Sequence, residues 1–155
     1  EAVFCLYTAA KMHDITQAES ATLFVSYPES RKKAISLGSS FWLDVTTILA
    51  PERELTVGVE ATTISGVEVR YMSPERTIID MWRHSSHGTE GRRRQLLVTD
   101  ENLYQSLGAY LEKTQGLSGP LTEMAYQLDL SDRAKTAFTR LVGTYASGYE
   151  AQQVY

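Results

Sequence analysis

The 155-residue chain lacks the marks of a secreted, disulfide-linked or membrane-spanning protein. It has one cysteine, Cys5, which excludes an internal disulfide and favours the reducing cytoplasm as the location. No apolar run approaches the roughly 18 residues of a membrane span and no secretory leader is visible, so we expect no membrane partner. Cys5 lies among apolar neighbours, where a buried structural thiol is a better interpretation than a nucleophile.

The sequence is also poor in signatures of catalysis. Metal-dependent nucleases of the Asp…Glu-x-Lys type need a carboxylate two residues before a lysine, and none of the lysines here has one. Asp44, on a predicted strand, is a lone carboxylate, so a divergent nuclease is only the third alternative. His84, His87 and Glu90 could bind a metal, but their loop shows neither a fourth ligand nor a rigid frame. With no phosphate loop, dinucleotide fingerprint or nucleophile elbow, we predict no enzymatic activity, no metal and no cofactor.

Positive charge is scarce as well. The formal net charge is -4 and the pI is near 5.4, which argues against a wholly basic nucleic-acid coat. Two basic runs could nevertheless attract phosphates by counterion release if they shared one surface, although charge runs are more often solvated loops. The candidate DNA contacts are Arg31, Lys32, Lys33, Arg92, Arg93 and Arg94.

Hydrophobic periodicity divides the chain into strands and helices. It predicts a helix over residues 2–12, strands over 22–27 and 41–49, and a further alternation from Leu55 through Val59 that leads into a hairpin. It then predicts a short helix over 92–98 and helices that begin near Asp100, Pro120 and Ser131. Residues 148–155 look frayed.

The most informative stretch is residues 64–83, which combine a turn, a strand and a helix start. Ser65-Gly66 is typical of a two-residue hairpin turn, and Val67, Val69 and Tyr71 then alternate with polar residues as in a half-buried strand. A helix begins where the period changes, with a serine cap, a proline at the first position and an acidic residue facing the helix dipole. The motif residues are Ser73, Pro74, Glu75, Arg76, Thr77 and Asp80. Capping explains most of them, so we favour a structural role, with an Arg76–Asp80 pair worth a few tenths of a kcal/mol if exposed.

Together these elements predict an α+β domain. One helix precedes a mostly antiparallel mixed sheet, and a helical cluster follows at the C-terminal end. Residues 1–147 form a single domain in this interpretation, and residues 148–155 form a tail. The helical pattern begins immediately after Glu1, which indicates a domain excised from a longer protein.

The same stretch resembles a known family. The pattern of a small turn, Val-x-Val and then Ser-Pro-x-Arg-Thr-Ile-x-Asp is similar to the C-terminal domain of the AbiEi abortive-infection antitoxin and transcriptional-regulator family. The residues from Phe4 to Asp14 resemble the small-residue helix of that family, and those from Leu23 to Pro28 its proline-ended strand. The pieces occur in the family's order, although Asp14-Ile15 replaces the usual Gly-Leu and the polar insert at 84–91 is long.

The resemblance implies a non-enzymatic domain. Members of the family typically carry an N-terminal winged helix-turn-helix that binds operator DNA, followed by a domain like this one. By resemblance, this domain assists repression and neutralises a nucleotidyltransferase-like toxin in a type IV-like toxin-antitoxin system of phage defence. The alternative is a protein-interaction module of another regulator or mobile-element protein, without DNA contact.

Overall fold

A computed structural model describes residues 2–31, 44–88 and 95–153, with only the backbone at 31 and 150–153. The strands are β1 (Val3–Phe4), β2 (Thr22–Pro28), β3 (Asp44–Ala50), β4 (Val59–Ile64) and β5 (Val67–Met72). The α-helices are α1 (Leu6–Met12), α2 (Pro74–Arg83), α3 (Asp100–Lys113), α4 (Gly119–Gln127) and α5 (Asp132–Gln153). Short 3-10 helices span Glu29–Arg31 and Glu52–Leu55. No helix in these described ranges is long and apolar enough to cross a membrane.

The five strands form one mixed sheet in the order β3-β2-β1-β5-β4. β1 pairs antiparallel with β2 and parallel with β5, β2 pairs parallel with β3, and β4 pairs antiparallel with β5. The α+β class is therefore confirmed. The sheet is less antiparallel than expected, because parallel and antiparallel ladders alternate across it.

The first predicted helix begins too early. Val3 and Phe4 form the central strand of the sheet, with Val3 opposite Ser26 and Phe4 opposite both Val25 and Tyr71. Cys5 keeps an extended backbone, and the helix begins only at Leu6, whose φ is 45°. The helical periodicity of the sequence included Val3 because an apolar residue suits a helix or a strand. Backbone pairing with β2 on one side and β5 on the other makes this segment a strand.

The predicted hairpin is present, but the alternation before it is not a strand. Glu52–Leu55 forms a 3-10 helix with Leu55 buried, and β4 begins only at Val59. Ser65 and Gly66 both have positive φ, 50° and 79°, as a two-residue turn of the primed type requires. The turn brings Ile64 opposite Val67 and sets the register of the whole ladder.

The later helices also differ in detail from the prediction. Residues 95–98 are not helical, and Thr99 caps α3 in place of Asp100, its hydroxyl accepting from the Asn102 N–H at 3.1 Å. Pro120 and Ser131 do begin α4 and α5 as predicted. α5 extends to Gln153, and within it Tyr145 stacks on Tyr104 with ring centroids 5.3 Å apart. The frayed tail at 148–155 stays a prediction.

The hydrophobic core lies between the sheet and the helices. α2 contacts α1, α3 and α4, so its apolar face is enclosed and Ile78, Met81 and Trp82 are fully or almost fully buried. Trp82 meets Phe138 of α5 edge to face at 5.4 Å. α2 is therefore the central helix of the domain, and the polar residues on its other face are also drawn into the interior.

Candidate functional site

The start of α2 is fixed by the residue types that predicted it. The Ser73 hydroxyl accepts from the Arg76 N–H at 3.1 Å, and Pro74 occupies the first turn. The Ser73 N–H in turn donates to the Gly58 carbonyl at 2.8 Å. The helix cap is thereby joined to the residue that precedes β4, and the Arg76 side chain reaches the carbonyls of residues 54 and 57 before that strand.

Arg76 is a buried residue that uses its guanidinium as a structural connector. Nε donates to both carboxylate oxygens of Asp80, at 3.1 and 3.0 Å, and Nη1 donates to the Val57 carbonyl at 2.8 Å. Nη1 also donates to the Glu54 carbonyl. The predicted Arg76–Asp80 pair is thus present, but it is buried, where two backbone carbonyls and a carboxylate depend on one side chain.

Arg83 and Glu54 complete what we call the buried charged cluster, which consists of Glu54, Arg76, Asp80 and Arg83. Arg83 donates to the Glu54 carboxylate from Nη2 at 3.1 Å and from Nη1 at 3.2 Å. Nη1 also lies 3.4 Å from Asp80 Oδ1. Two guanidiniums face two carboxylates, so the cluster is neutral as a whole, as buried charges require.

The charges of the cluster determine how Asp80 titrates. Burial by itself would raise the pKa of the Asp80 carboxyl. The guanidiniums of Arg76 and Arg83, together with the Arg76 hydrogen bonds, outweigh burial and hold that pKa below its ordinary value. Asp80 is therefore ionised at neutral pH and cannot serve as a general acid there.

A small cavity adjoins the cluster where β1 turns into α1. Its lining includes Cys5, Ser26 and His84, and its volume is about 10 Å³. That space is at the lower limit for a single water molecule and is too small for a substrate. Burial, and then the charge of Asp80, raises the pKa of the Cys5 thiol, so the thiol stays protonated and is a poor nucleophile.

The six candidate DNA contacts cannot be placed with respect to one another. Lys32, Lys33, Arg92, Arg93 and Arg94 lie outside the described residues, and only the backbone of Arg31 is described, at the end of a 3-10 helix. The shared basic surface stays a prediction. Arg83, which is close to the second run in sequence, is buried against Glu54 and does not extend that surface.

The side chains of His84 and His87 lie in different environments. His84 is buried and its Nδ1 lies 3.0 Å from the Gln95 carbonyl oxygen. His87 is on the other side of the turn, with Nε2 in contact with the Tyr104 hydroxyl and 3.6 Å from Asp100 Oδ2. Glu90 lies outside the described residues. Within the described ranges, no group of three or more His, Cys, Asp or Glu side chains could hold a metal ion.

Two features of the site were missed from the sequence. Glu54, in the 3-10 helix before β4, carries the charge that Arg83 needs, but nothing local distinguishes it from the exposed Glu52. The Ser86 hydroxyl donates to the Asp100 carboxylate, whose oxygens lie 2.7 and 2.8 Å away, and so ties the turn after α2 to α3. The only sequence signal for Glu54 was its alternation with Glu52, and this signal is weak.

Comparison with known proteins does not assign the chain to a family. No family model matches it, and no curated protein matches it.

Proposed function

We propose that this domain is the non-enzymatic part of a bacterial antitoxin and transcriptional regulator of the abortive-infection type. The observation that carries the proposal is the position of the Ser73–Asp80 motif. Ser73 caps the helix, Arg76 joins α2 to the carbonyls of Glu54 and Val57, and Asp80 pairs with Arg76 and Arg83. A motif used in this way stabilises the fold, which supports a structural rather than catalytic role for the residues that carry the family resemblance.

In this proposal, the partners are operator DNA and a nucleotidyltransferase-like toxin. The toxin is neutralised functionally, with or without direct contact, and much of the operator recognition belongs to an N-terminal winged helix. The basic runs at 31–33 and 92–94 assist by contacting phosphates. Such contacts supply affinity and salt dependence without reading the base sequence.

The test is binding of the chain to a random-sequence DNA duplex over a series of salt concentrations. Each phosphate contact contributes about 0.9 to the slope of log affinity against log salt, so Arg92/Arg93/Arg94→Ala is expected to lower the slope by roughly 2–3. The matched control is Arg53/Arg133/Arg140→Ala, which removes the same charge from exposed positions. We expect the control to keep the wild-type slope.

A protein-interaction module without DNA contact is the second candidate. It is favoured by the exposed apolar side chains at the hairpin tip, Ile64 at 52% and Val67 at 63% exposure. Monomeric proteins seldom place such residues side by side without a partner. Absence of DNA binding even at low salt would contradict the phosphate contacts and leave this candidate.

A further inference from the structure

β4 is an edge strand with an open side. Within the described part of the chain it pairs only with β5, and residues 60–64 are all exposed. β5 meets β1 only at Tyr71, opposite Phe4, so most of the hairpin extends beyond the rest of the sheet as a two-stranded arm. Among the described residues, nothing covers the outer side of β4 from Glu60 to Ile64.

This edge has few of the features that usually prevent strands from pairing between molecules. Edge strands are commonly protected by lysine, proline, a bulge or an inward charge. β4 reads Val-Glu-Ala-Thr-Thr-Ile, with Glu60 as its single charge, and its register with β5 runs without a bulge from Val59 to Ile64. Thr62, Thr63 and Ile64 are β-branched and suit a further strand.

The two-residue turn determines which backbone groups face outward. The residues that flank such a turn, Ile64 and Val67, form a hydrogen-bonded pair, and hydrogen-bonded positions then alternate along the ladder. Glu60, Thr62 and Ile64 accordingly direct their N–H and C=O groups towards β5. Ala61 and Thr63 direct theirs away from the sheet, where a partner strand can accept and donate.

We propose that β4 pairs antiparallel with β4 of a second copy of this chain, with Thr62 opposite Thr62 on a two-fold axis. In this register, the outward N–H and C=O groups of Ala61 in each copy pair with those of Thr63 in the other copy. It joins two five-stranded sheets into one of ten strands. Opposed threonines are a favourable cross-strand pair.

The position of Glu60 disfavours the registers centred earlier in the strand. A register centred on Thr63 separates the two Glu60 residues further but places Ala61 opposite Ser65 of the turn. With Thr62 on the axis, Glu60 lies opposite Ile64, and the two Glu60 residues are four positions apart, or about 14 Å at ~3.4 Å per residue along the strand and ~4.8 Å across. That distance exceeds the Debye length of about 8 Å at physiological ionic strength. An axis on Ala61 brings the two carboxylates to about 8 Å, and an axis on Glu60 opposes them directly.

The pairing also covers apolar surface. The register places Thr62 with Val69, and Ile64 with Val67, on one face of the hairpin. A two-fold axis normal to the sheet keeps the corresponding faces of both copies on the same side. Ile64 then packs against the Glu60 methylenes of the other copy. The contact is smaller than a standard interface, so the dimer dissociates on dilution.

Cysteine cross-linking tests the register directly. The native Cys5 is buried at 2% exposure and does not compete. Thr62→Cys places two thiols opposite each other within disulfide range, whereas Thr63→Cys faces Ala61 of the other copy. Under mild oxidation we expect at least about tenfold more covalent dimer from Thr62→Cys than from Thr63→Cys. Equal cross-linking of both variants, or none from Thr62→Cys, would overturn the proposal.

Charged substitutions of Thr62, the residue on the two-fold axis, provide a second test under reducing conditions. We expect the mass in sedimentation to rise with concentration from 17.3 kDa towards twice that value. Thr62→Lys and Thr62→Glu should each remain monomeric because like charges oppose at the axis, while their mixture should form a heterodimer. Thr56→Lys, at an exposed position outside the strand, is the control and should dimerise like wild type.

Circular dichroism checks that each variant is folded. A wild-type protein that stays monomeric at every concentration, or a mixture that fails to associate, would contradict the pairing. The proposal does not rest on the regulator function, since neither experiment contains DNA or toxin.

Discussion

The guanidinium of Arg83 meets the carboxylate of Glu54 at two points, 3.1 Å from Nη2 to Oε1 and 3.2 Å from Nη1 to Oε2. Both side chains are buried and 29 positions separate them in the chain. The contact joins the end of α2 to the 3-10 helix before β4. Because it lies in the interior, its loss leaves a charge that water cannot easily solvate.

Glu54→Gln is expected to lower the free energy of unfolding by about 3–5 kcal/mol, because the buried cluster then holds two guanidiniums against the single carboxylate of Asp80. Urea denaturation measures this change. The matched control is Glu52→Gln in the same 3-10 helix, where the side chain is exposed and the expected change is within about 0.5 kcal/mol. Equal losses from the two substitutions would contradict a special role for the buried carboxylate.

Arg76→Lys tests whether the cluster needs a guanidinium or only a positive charge. Lysine cannot reach Asp80 and the carbonyls of Val57 and Glu54 together, so at least one buried acceptor loses its donor. We expect a loss of about 1–3 kcal/mol in unfolding free energy. The exposed Arg53→Lys should leave stability unchanged. A stable Arg76→Lys protein would show that charge alone suffices.

The free energy of unfolding at acid pH should depend on the Asp80 carboxylate. Its pKa in the folded protein lies below the ordinary value of 3.8, so the folded state favours the ionised form more than the unfolded state does. The corresponding stability is complete above the unfolded pKa and is lost as the pH falls from about 4 through the folded pKa. Asp80→Asn should therefore show a shallower decline of unfolding free energy in acid.

The control for the acid measurement is Asp132→Asn, whose carboxylate is fully exposed at the start of α5. It is expected to retain most of the wild-type decline between about pH 4 and pH 2. If Asp80→Asn and wild type lose stability in parallel over this range, Asp80 does not contribute to acid unfolding as argued.

Gly58 and Gly66 separate backbone strain from steric clash. Both have positive φ, 66° and 79°, so alanine at either position carries a left-handed penalty of about 1–2 kcal/mol. At Gly58 the new Cβ would also lie 2.8 Å from Arg76 Cβ and 2.9 Å from Met124 Sδ, whereas Gly66 has open space. We expect Gly58→Ala to cost a further ~1–3 kcal/mol in thermal or urea unfolding. Equal costs would exclude the clash.

The parts of the fold that local chemistry controls were predictable. Serine followed by proline indicated where α2 begins, Ser65-Gly66 indicated the hairpin turn, and Ser131 indicated the start of α5. In each case the side chain or the permitted φ acts within a few residues of the backbone it controls. The site was harder to predict, because the sequence indicated that Arg76 and Asp80 could pair but not that the pair is buried, and Glu54 was not singled out.

The sequence by itself thus determined the hairpin turn, the caps of α2 and α5 and the apolar faces of the later helices, since these depend on neighbours along the chain. Only the tertiary structure decided that Val3 and Phe4 form the central strand and that Glu54 neutralises Arg83. The same apolar residue suits a helix or a strand, and the same glutamate suits a surface or a buried pair. The environment that such a residue adopts depends on which segments pack against it. Those segments are distant along the chain, so no local periodicity in the sequence reveals the contact.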